Sequence, residues 1–148
     1  MTGSDNPVVL FTGNTRFFPN YATSFAAGAD LKANLSLAVS LEPGDRCLIP
    51  TGISVAIPAG WEGQVRPRSG LSIDKGVTLL NSPGTIDSDY RGELKIILIN
   101  LGREVVTIEP GERIAQLVIN RIATANFELV KELPPSKRGA AGFGSTGK

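Results

Sequence analysis

Asp87 and Asp89 stand two residues apart in the segment 84–93 (GTIDSDYRGE), with apolar Ile86 before them and Tyr90 after them. In a strand the two carboxylates share a face, and in a turn they diverge. A carboxylate at the edge of an apolar segment can hold a water by hydrogen bond and accept its proton, provided a metal or cations polarise the electrophile. Taken alone, the segment reads rather as a solvated hairpin acid, with Tyr90 a cross-strand packing residue. Three other places carry comparable groups. Arg68-Ser69-Gly70 sets a hydroxyl and free amides at the start of a short helical stretch, beside Arg66. That is an anion-binding arrangement, although the tripeptide alone is also an ordinary capped turn. Gln116 in the segment 111–117 (GERIAQL) offers an amide donor to a phosphate, or is a surface polar position. Asp30, between Ala29 and Leu31, is an acid in an otherwise apolar strand, either edge-solvated or tied to a partner.

The chain contains no histidine and a single cysteine, Cys47. This removes Ser-His-Asp and Cys-His catalysis, His-based and Cys-rich zinc sites, and any intrachain disulfide. Cys47, between Arg46 and Leu48-Ile49, reads as a small core or near-surface hydrophobe, in keeping with a reducing cytosol. Any chemistry must then come from the 14 acidic residues, from cations, hydroxyls and amides, or from a bound metal. The 15 basic residues are spread along the chain for a net charge of +1, so no dense basic face exists to neutralise nucleic acid. The N-terminal MTGSDNPVVLF has no signal-peptide character and the apolar runs are short. No membrane span is expected, and the expected location is the cytoplasm.

The elements that must position these groups read as strands. A chain of 148 residues fits one domain, and its 17 glycines and 10 prolines fall as punctuation between short apolar runs. Strands are predicted at residues 8–11, 29–33, 35–41, 46–57, 61–66, 77–80, 94–101, 105–108, 114–122 and 127–130. Residues 94–101 (LKIILINL) are apolar on both faces and predict a central strand, while Ser69–Lys75 predicts the one short helix. Strands every 8–12 residues with Pro/Gly turns imply an all-β sandwich or jelly roll. After Pro134-Pro135 the pattern stops, so residues 1–135 read as the domain and 136–148 as a Gly-rich tail. That tail is a frayed end by composition. Its arginine, phenylalanine and two hydroxyls are also what a segment closing over a phosphate-bearing ligand requires.

Together these segments resemble the trimeric dUTP pyrophosphatase (dUTPase) family, whose five motifs occur in order. They read AGADLKA (27–33), RPRSGLS (66–72), NSPGTIDSDYRGE (81–93), PGERIAQLVI (110–119) and RGAAGFGSTG (138–147). The resemblance implies a distorted jelly-roll subunit of the β-clip type, in a homotrimer with a swapped C-terminal tail and shared active sites. It implies Mg²⁺-dependent hydrolysis of dUTP to dUMP and pyrophosphate, supplying dUMP for dTMP synthesis and keeping uracil out of DNA. By position Asp87 orients and deprotonates the water that attacks the α-phosphorus. Asp30 helps hold Mg²⁺ through coordinated water, the ion resting mainly on the phosphates.

The same resemblance places Arg68, Ser69, Gly70 and Gln116 on the phosphate chain, and Tyr90 on the deoxyribose. Asn81, Gly84, Thr85 and Ile86, with Lys95 opposite, would read uracil mostly through main-chain groups. Arg138, Phe143, Gly144, Ser145 and Thr146 would close the site as a lid from another subunit, Phe143 over the base and the rest at the γ-phosphate. Ala29 stands where the family usually has an aromatic, and Ala141 where it often has glycine; neither change removes a chemical group. A dCTP deaminase shares the fold but needs a glutamate base near the pyrimidine, and a silent binding module would be expected to lose Asp87 or the tail. The full set of motifs favours the hydrolase.

Overall fold

The computed structural model describes residues 6–142. Its elements are β1 (Leu10–Gly13), a 3₁₀ turn (Thr15–Phe17), β2 (Asn20–Tyr21), β3 (Ala29–Lys32), β4 (Val39–Leu41), β5 (Arg46–Ala56) and β6 (Trp61–Arg66). Helix α1 (Ser69–Lys75) is followed by β7 (Val77–Leu79), β8 (Gly84–Ile86), β9 (Glu93–Asn100), β10 (Val106–Ile108) and β11 (Arg113–Arg121). A four-stranded sheet runs β1-β5-β9-β7, a five-stranded sheet runs β2-β3-β11-β6-β8, and β10 pairs with β4. Every pairing is antiparallel. The result is the expected all-β sandwich with one short helix.

Period-two patterning builds the core. In β5, Ile49, Thr51, Ile53 and Val55 alternate inward and are all buried. They meet Leu94, Ile96 and Leu98 of β9 and, from the facing sheet, Leu31, Val65 and Leu117, in one hydrophobic cluster. The Glu-Pro-Gly turns at 42–45 and 109–112 are type II: Gly44 and Gly111 have φ of 88° and 79°, values that glycine takes without a Cβ penalty. Two buried polar side chains add ties, the first between neighbouring strands of one sheet and the second from that sheet to β4. The Thr51 hydroxyl donates to Leu94 O at 2.6 Å, and Asn100 donates to Leu41 O and Glu104 O while accepting from Gly102 N–H.

Several expectations change. Only Val39–Leu41 of residues 35–41 is a strand, because the chain bends at Ser36-Leu37 on leaving β3 for a different sheet. The first strand lies two residues later than predicted, since its register on β5 runs from Leu10↔Ala56 to Gly13↔Ile53. β9 is central as expected, but Lys95 on its second face is exposed and Ile97 and Ile99 are half-buried. Residues 127–130 form no strand: they lie against no other strand, and Phe127 and Leu129 are 98% and 99% exposed. The segment holding Asp87 is not a hairpin either. β7 and β9 belong to one sheet and β8 to the other, so residues 80–92 cross from sheet to sheet and back. β2, β8 and the 3₁₀ turn were too short to register as periodic signals. Among the described residues no helix is long and apolar enough to cross a membrane.

Candidate active site

Asp30, Gln116 and Arg66 lie side by side across β3, β11 and β6, as the registers Gln116↔Asp30 and Gln116↔Arg66 require. Residues directly opposite share a face, and this is the outer face of the five-stranded sheet, since Ala29, Leu31, Ala115, Leu117 and Val65 fill the inner one. Asp30 is tied to partners rather than solvated. Its Oδ1 meets Arg68 Nε at 3.2 Å and its Oδ2 meets Arg113 Nη1 at 2.9 Å, with the carboxylate side chain 14% exposed. Arg68 also donates from Nη1 to Arg113 O at 3.2 Å.

The loop after β6 delivers the remaining groups. Arg68 is extended (φ −95°, ψ 129°) before α1, and the first helical bond runs from Ser72 N–H to Arg68 O. The amides of Ser69, Gly70 and Leu71 therefore have no intrahelical acceptor, and Ser69 and Gly70 are exposed. Gln116 Nε2 donates to Pro67 O at 2.9 Å, which fastens this loop to β11. Gly28 leaves room for that side chain, because a Cβ at residue 28 would collide with Gln116 Oε1. Asp30, Arg68, Ser69, Gly70, Arg113 and Gln116 line a cavity of about 330 Å³, walled on the far side by Ala22, Ala26, Ala27 and Gly28. With two arginines and one aspartate at its floor, it suits an anion.

A larger hollow of about 790 Å³ lies inside the sandwich mouth, lined by Phe11, Phe18, Tyr21, Trp61, Leu117, Ile119 and Ala29 among others. Among the described residues no charged side chain lines it and none of the predicted catalytic or binding groups reaches it, so chemistry favours the smaller cavity. Ala29, where an aromatic would be usual, faces this hollow and leaves part of it unfilled.

The third motif forms a separate cluster. Asp87 is exposed and its carboxylate has no hydrogen-bond or ion-pair partner among the described residues. Its carbonyl accepts from Tyr90 N–H at 3.1 Å, closing a turn over residues 87–90. Tyr90 donates its hydroxyl to Glu93 O at 3.0 Å and lays its ring over Gly92. Asn81 rests against Gly84, Thr85 is exposed, and Ile86 packs on the core edge. Lys95 projects from β9 and its Nζ lies 4.0 Å from Glu93 Oε2.

These two clusters do not meet on one chain. Ile86 is opposite Gly63 on β6, so Asp87 lies beside Glu62, whereas Arg68 lies beyond Arg66 at the other end of that strand. The four steps along the strand from residue 62 to residue 66 alone span about 13 Å, and Asp87 does not line the cavity. Arg138 is turned onto its own loop, Nε donating to Ala141 O at 2.8 Å. Phe143, Gly144, Ser145 and Thr146 lie outside the described residues.

Arg113 is the residue the pattern hid. Strict alternation puts it on the inner face with Ala115 and Leu117. The register instead shifts between Arg113 and Ala115, a β-bulge that turns Arg113 outward toward Asp30. The sequence carries no distinct signal for it, since Leu117-Val118 is a second buried apolar pair in the same strand and sits in unbroken register with β6. Cys47 stands apart from both clusters, and burial pushes its thiol pKa up, which favours the protonated form.

The dUTPase family profile matches residues 16–147. The deoxyuridine 5'-triphosphate nucleotidohydrolase of Fusobacterium nucleatum is 55% identical over 130 residues, 88% of this chain and 89% of the relative. That of Bdellovibrio bacteriovorus is 57% identical over 130 residues, 88% of this chain and 87% of the relative. Among solved structures, the Staphylococcus bacteriophage 80alpha dUTPase with dUpNHpp superposes with a TM-score of 0.85 at 29% identity, covering 95% of this chain and 99% of that one. A dUTPase from phage phi11 of S. aureus, described with a structural Mg(II) ion, shares the fold at 24% identity and a TM-score of 0.76, covering 86% of this chain and 99% of that one.

Proposed function

The chain belongs to the dUTPase family, and we propose that it hydrolyses dUTP to dUMP and pyrophosphate at a site completed between subunits of a homotrimer. The observation that carries this reading is the cavity in which Arg68, Ser69, Gly70 and Gln116 surround Asp30. It offers cations, a hydroxyl and open amides to a phosphate chain.

Asp87 is the residue proposed to act on water. Its exposed carboxylate, free of partners among the described residues, accepts a hydrogen bond from the attacking water and takes its proton as the α-phosphorus is approached. A carboxylate is a weak base at neutral pH, so positioning and neutralisation of the triphosphate supply most of the rate. Arg68 and the Ser69 and Gly70 amides take the phosphates. The tail, residues 136–148, closes over them with Arg138, Gly144, Ser145 and Thr146, and Phe143 covers the base. Uracil is read by Asn81, Gly84, Thr85 and Ile86, with Lys95 near. β8 is an edge strand, and the unpaired row of backbone groups along its outer side supports that assignment. Tyr90 packs on the sugar and leaves no space for a 2′-hydroxyl.

The family uses a divalent metal, and Mg²⁺ is the ion proposed here. No group of three His, Cys, Asp or Glu side chains among the described residues could hold a metal ion. Asp30, with each oxygen already engaged by an arginine, fits an ion held chiefly by substrate phosphates and reached through water. When bound, the ion would neutralise charge on the phosphate chain.

Two observations support the shared site. Asp87 and Arg68 leave opposite ends of β6, so a second copy is needed to bring such a pair onto one substrate. Phe127, Leu129 and Leu133 are 98%, 99% and 84% exposed, apolar surface that a partner subunit would cover. A cytoplasmic location completes the proposal. The test is incubation with dUTP or dCTP, in Mg²⁺ or EDTA, with sedimentation of the same sample. Pyrophosphate from dUTP that stops in EDTA supports the reading. Ammonia from dCTP would mark a deaminase, no turnover a binding module, and a monomeric active species would refute the shared site.

A further inference from the structure

The bulge in β11 interrupts a ladder in the middle of the sheet, and its visible result is to bring Arg113 onto Asp30. Asp30 thereby has two arginines, one on each oxygen. One would satisfy a single carboxylate that is 14% exposed, so the second requires a reason. If Arg68 alone neutralised Asp30, its recruitment by an incoming triphosphate would leave a bare, largely buried carboxylate facing a polyanion. Like charges at that range are strongly unfavourable in a partly desolvated pocket.

We infer that Arg113 is the positioning residue of Asp30: it stays on that carboxylate when Arg68 leaves it for the substrate phosphates. This rests on the reading of the cavity as the phosphate site. The two arginines are placed for unequal roles. Arg68 lies in the loop immediately before Ser69 and Gly70, where the phosphates must sit. Arg113 is carried by a strand paired with β3, and its contact with Asp30 spans that ladder. The exchange conserves charge pairing, since the carboxylate keeps one cation and the phosphates gain the other. Asp30 Oδ1 is then released into the cavity with Oδ2 still fixed, so its direction is set by Arg113.

The test is a double-mutant cycle in the full-length protein with Arg113→Gln, Arg113→Lys, Asp30→Asn and the Asp30→Asn/Arg113→Gln pair. Turnover of dUTP and calorimetric binding of dUpNHpp at graded Mg²⁺ are both read. Arg113→Gln should lower kcat/KM about 10–100-fold and raise the Mg²⁺ needed for half-maximal analogue binding about tenfold. Arg113→Lys should recover part of both. The pair should be no worse than Asp30→Asn alone, because Arg113 acts through Asp30. Losses that multiply would show Arg113 touching substrate directly and overturn the inference, as would an Arg113→Gln protein with unchanged Mg²⁺ dependence. If Arg113→Gln fails to fold, the same cycle with Arg113→Lys decides it. Absence of dUTP hydrolysis by the unaltered protein would sink the functional reading instead, and the analogue-binding cycle would still decide the role of Arg113.

Discussion

Gln116 occupies the space that a side chain at Gly28 would need, and from there its amide holds Pro67 O at 2.9 Å. One β3-side glycine thus governs where the β6–α1 loop sits, and with it Arg68, Ser69 and Gly70.

Replacing Gly28→Ala should push Gln116 out of place and release that loop. Overpacking of this kind costs about 1–3 kcal/mol. The expected outcome is a lower melting temperature together with a raised KM for dUTP. A normal KM would show that the loop is held by other means.

Asp87→Asn keeps size and shape but removes the proton acceptor. It should bind dUpNHpp normally and lose turnover by about 10²–10⁴-fold. Steady-state rates beside calorimetric affinity check this, and near-normal turnover would overturn the assignment of the water-activating group.

Truncation after Pro135 removes the proposed lid. The shortened protein should remain folded and assembled by circular dichroism and sedimentation, with kcat badly reduced. Unfolding instead would make the tail structural.

Asn100→Ala tests the scaffold rather than the site. The buried amide serves Leu41 O, Glu104 O and Gly102 N–H, and its loss leaves several buried groups unpaired. About 3 kcal/mol of stability should be lost, read by denaturant unfolding, with activity retained well below the transition.

The raised thiol pKa of Cys47 gives a pH signature. The protonated form persists to higher pH than for a free cysteine, so alkylation in the native protein should reach half-maximal rate above the ordinary cysteine range. Unfolding should move that midpoint down and accelerate the reaction at pH 8. Fast native alkylation at pH 8 would contradict burial as the cause.

How much could be read from the sequence varied with the range of the cause. Trp61–Arg66 and Ser69–Lys75 were found at their correct bounds because alternation and a helix-compatible run are local signals. Residues 127–130 alternate just as well, but a strand needs a partner and the single chain provides none. The third motif was recognisable by its residues, yet its traverse between sheets depends on pairings of β8 with β6 and of β7 with β9, which no local pattern carries. The local pattern leaves Asp30 either solvated or paired; its partner Arg113 is 83 residues away and is hidden by a one-residue change of register.

The crossing of residues 80–92 from one sheet to the other has a thermodynamic consequence. Leu80 N–H is bonded to Ile97 O on one side, and β8 is laddered to β6 on the other. The segment then returns to β9, so it is fastened at both ends to one layer and in its middle to the other. It cannot swing independently of them, and the entropy of ordering Asp87, the residue after β8, is spent once, when the sandwich forms. None of it has to be recovered from the binding energy of each nucleotide that arrives.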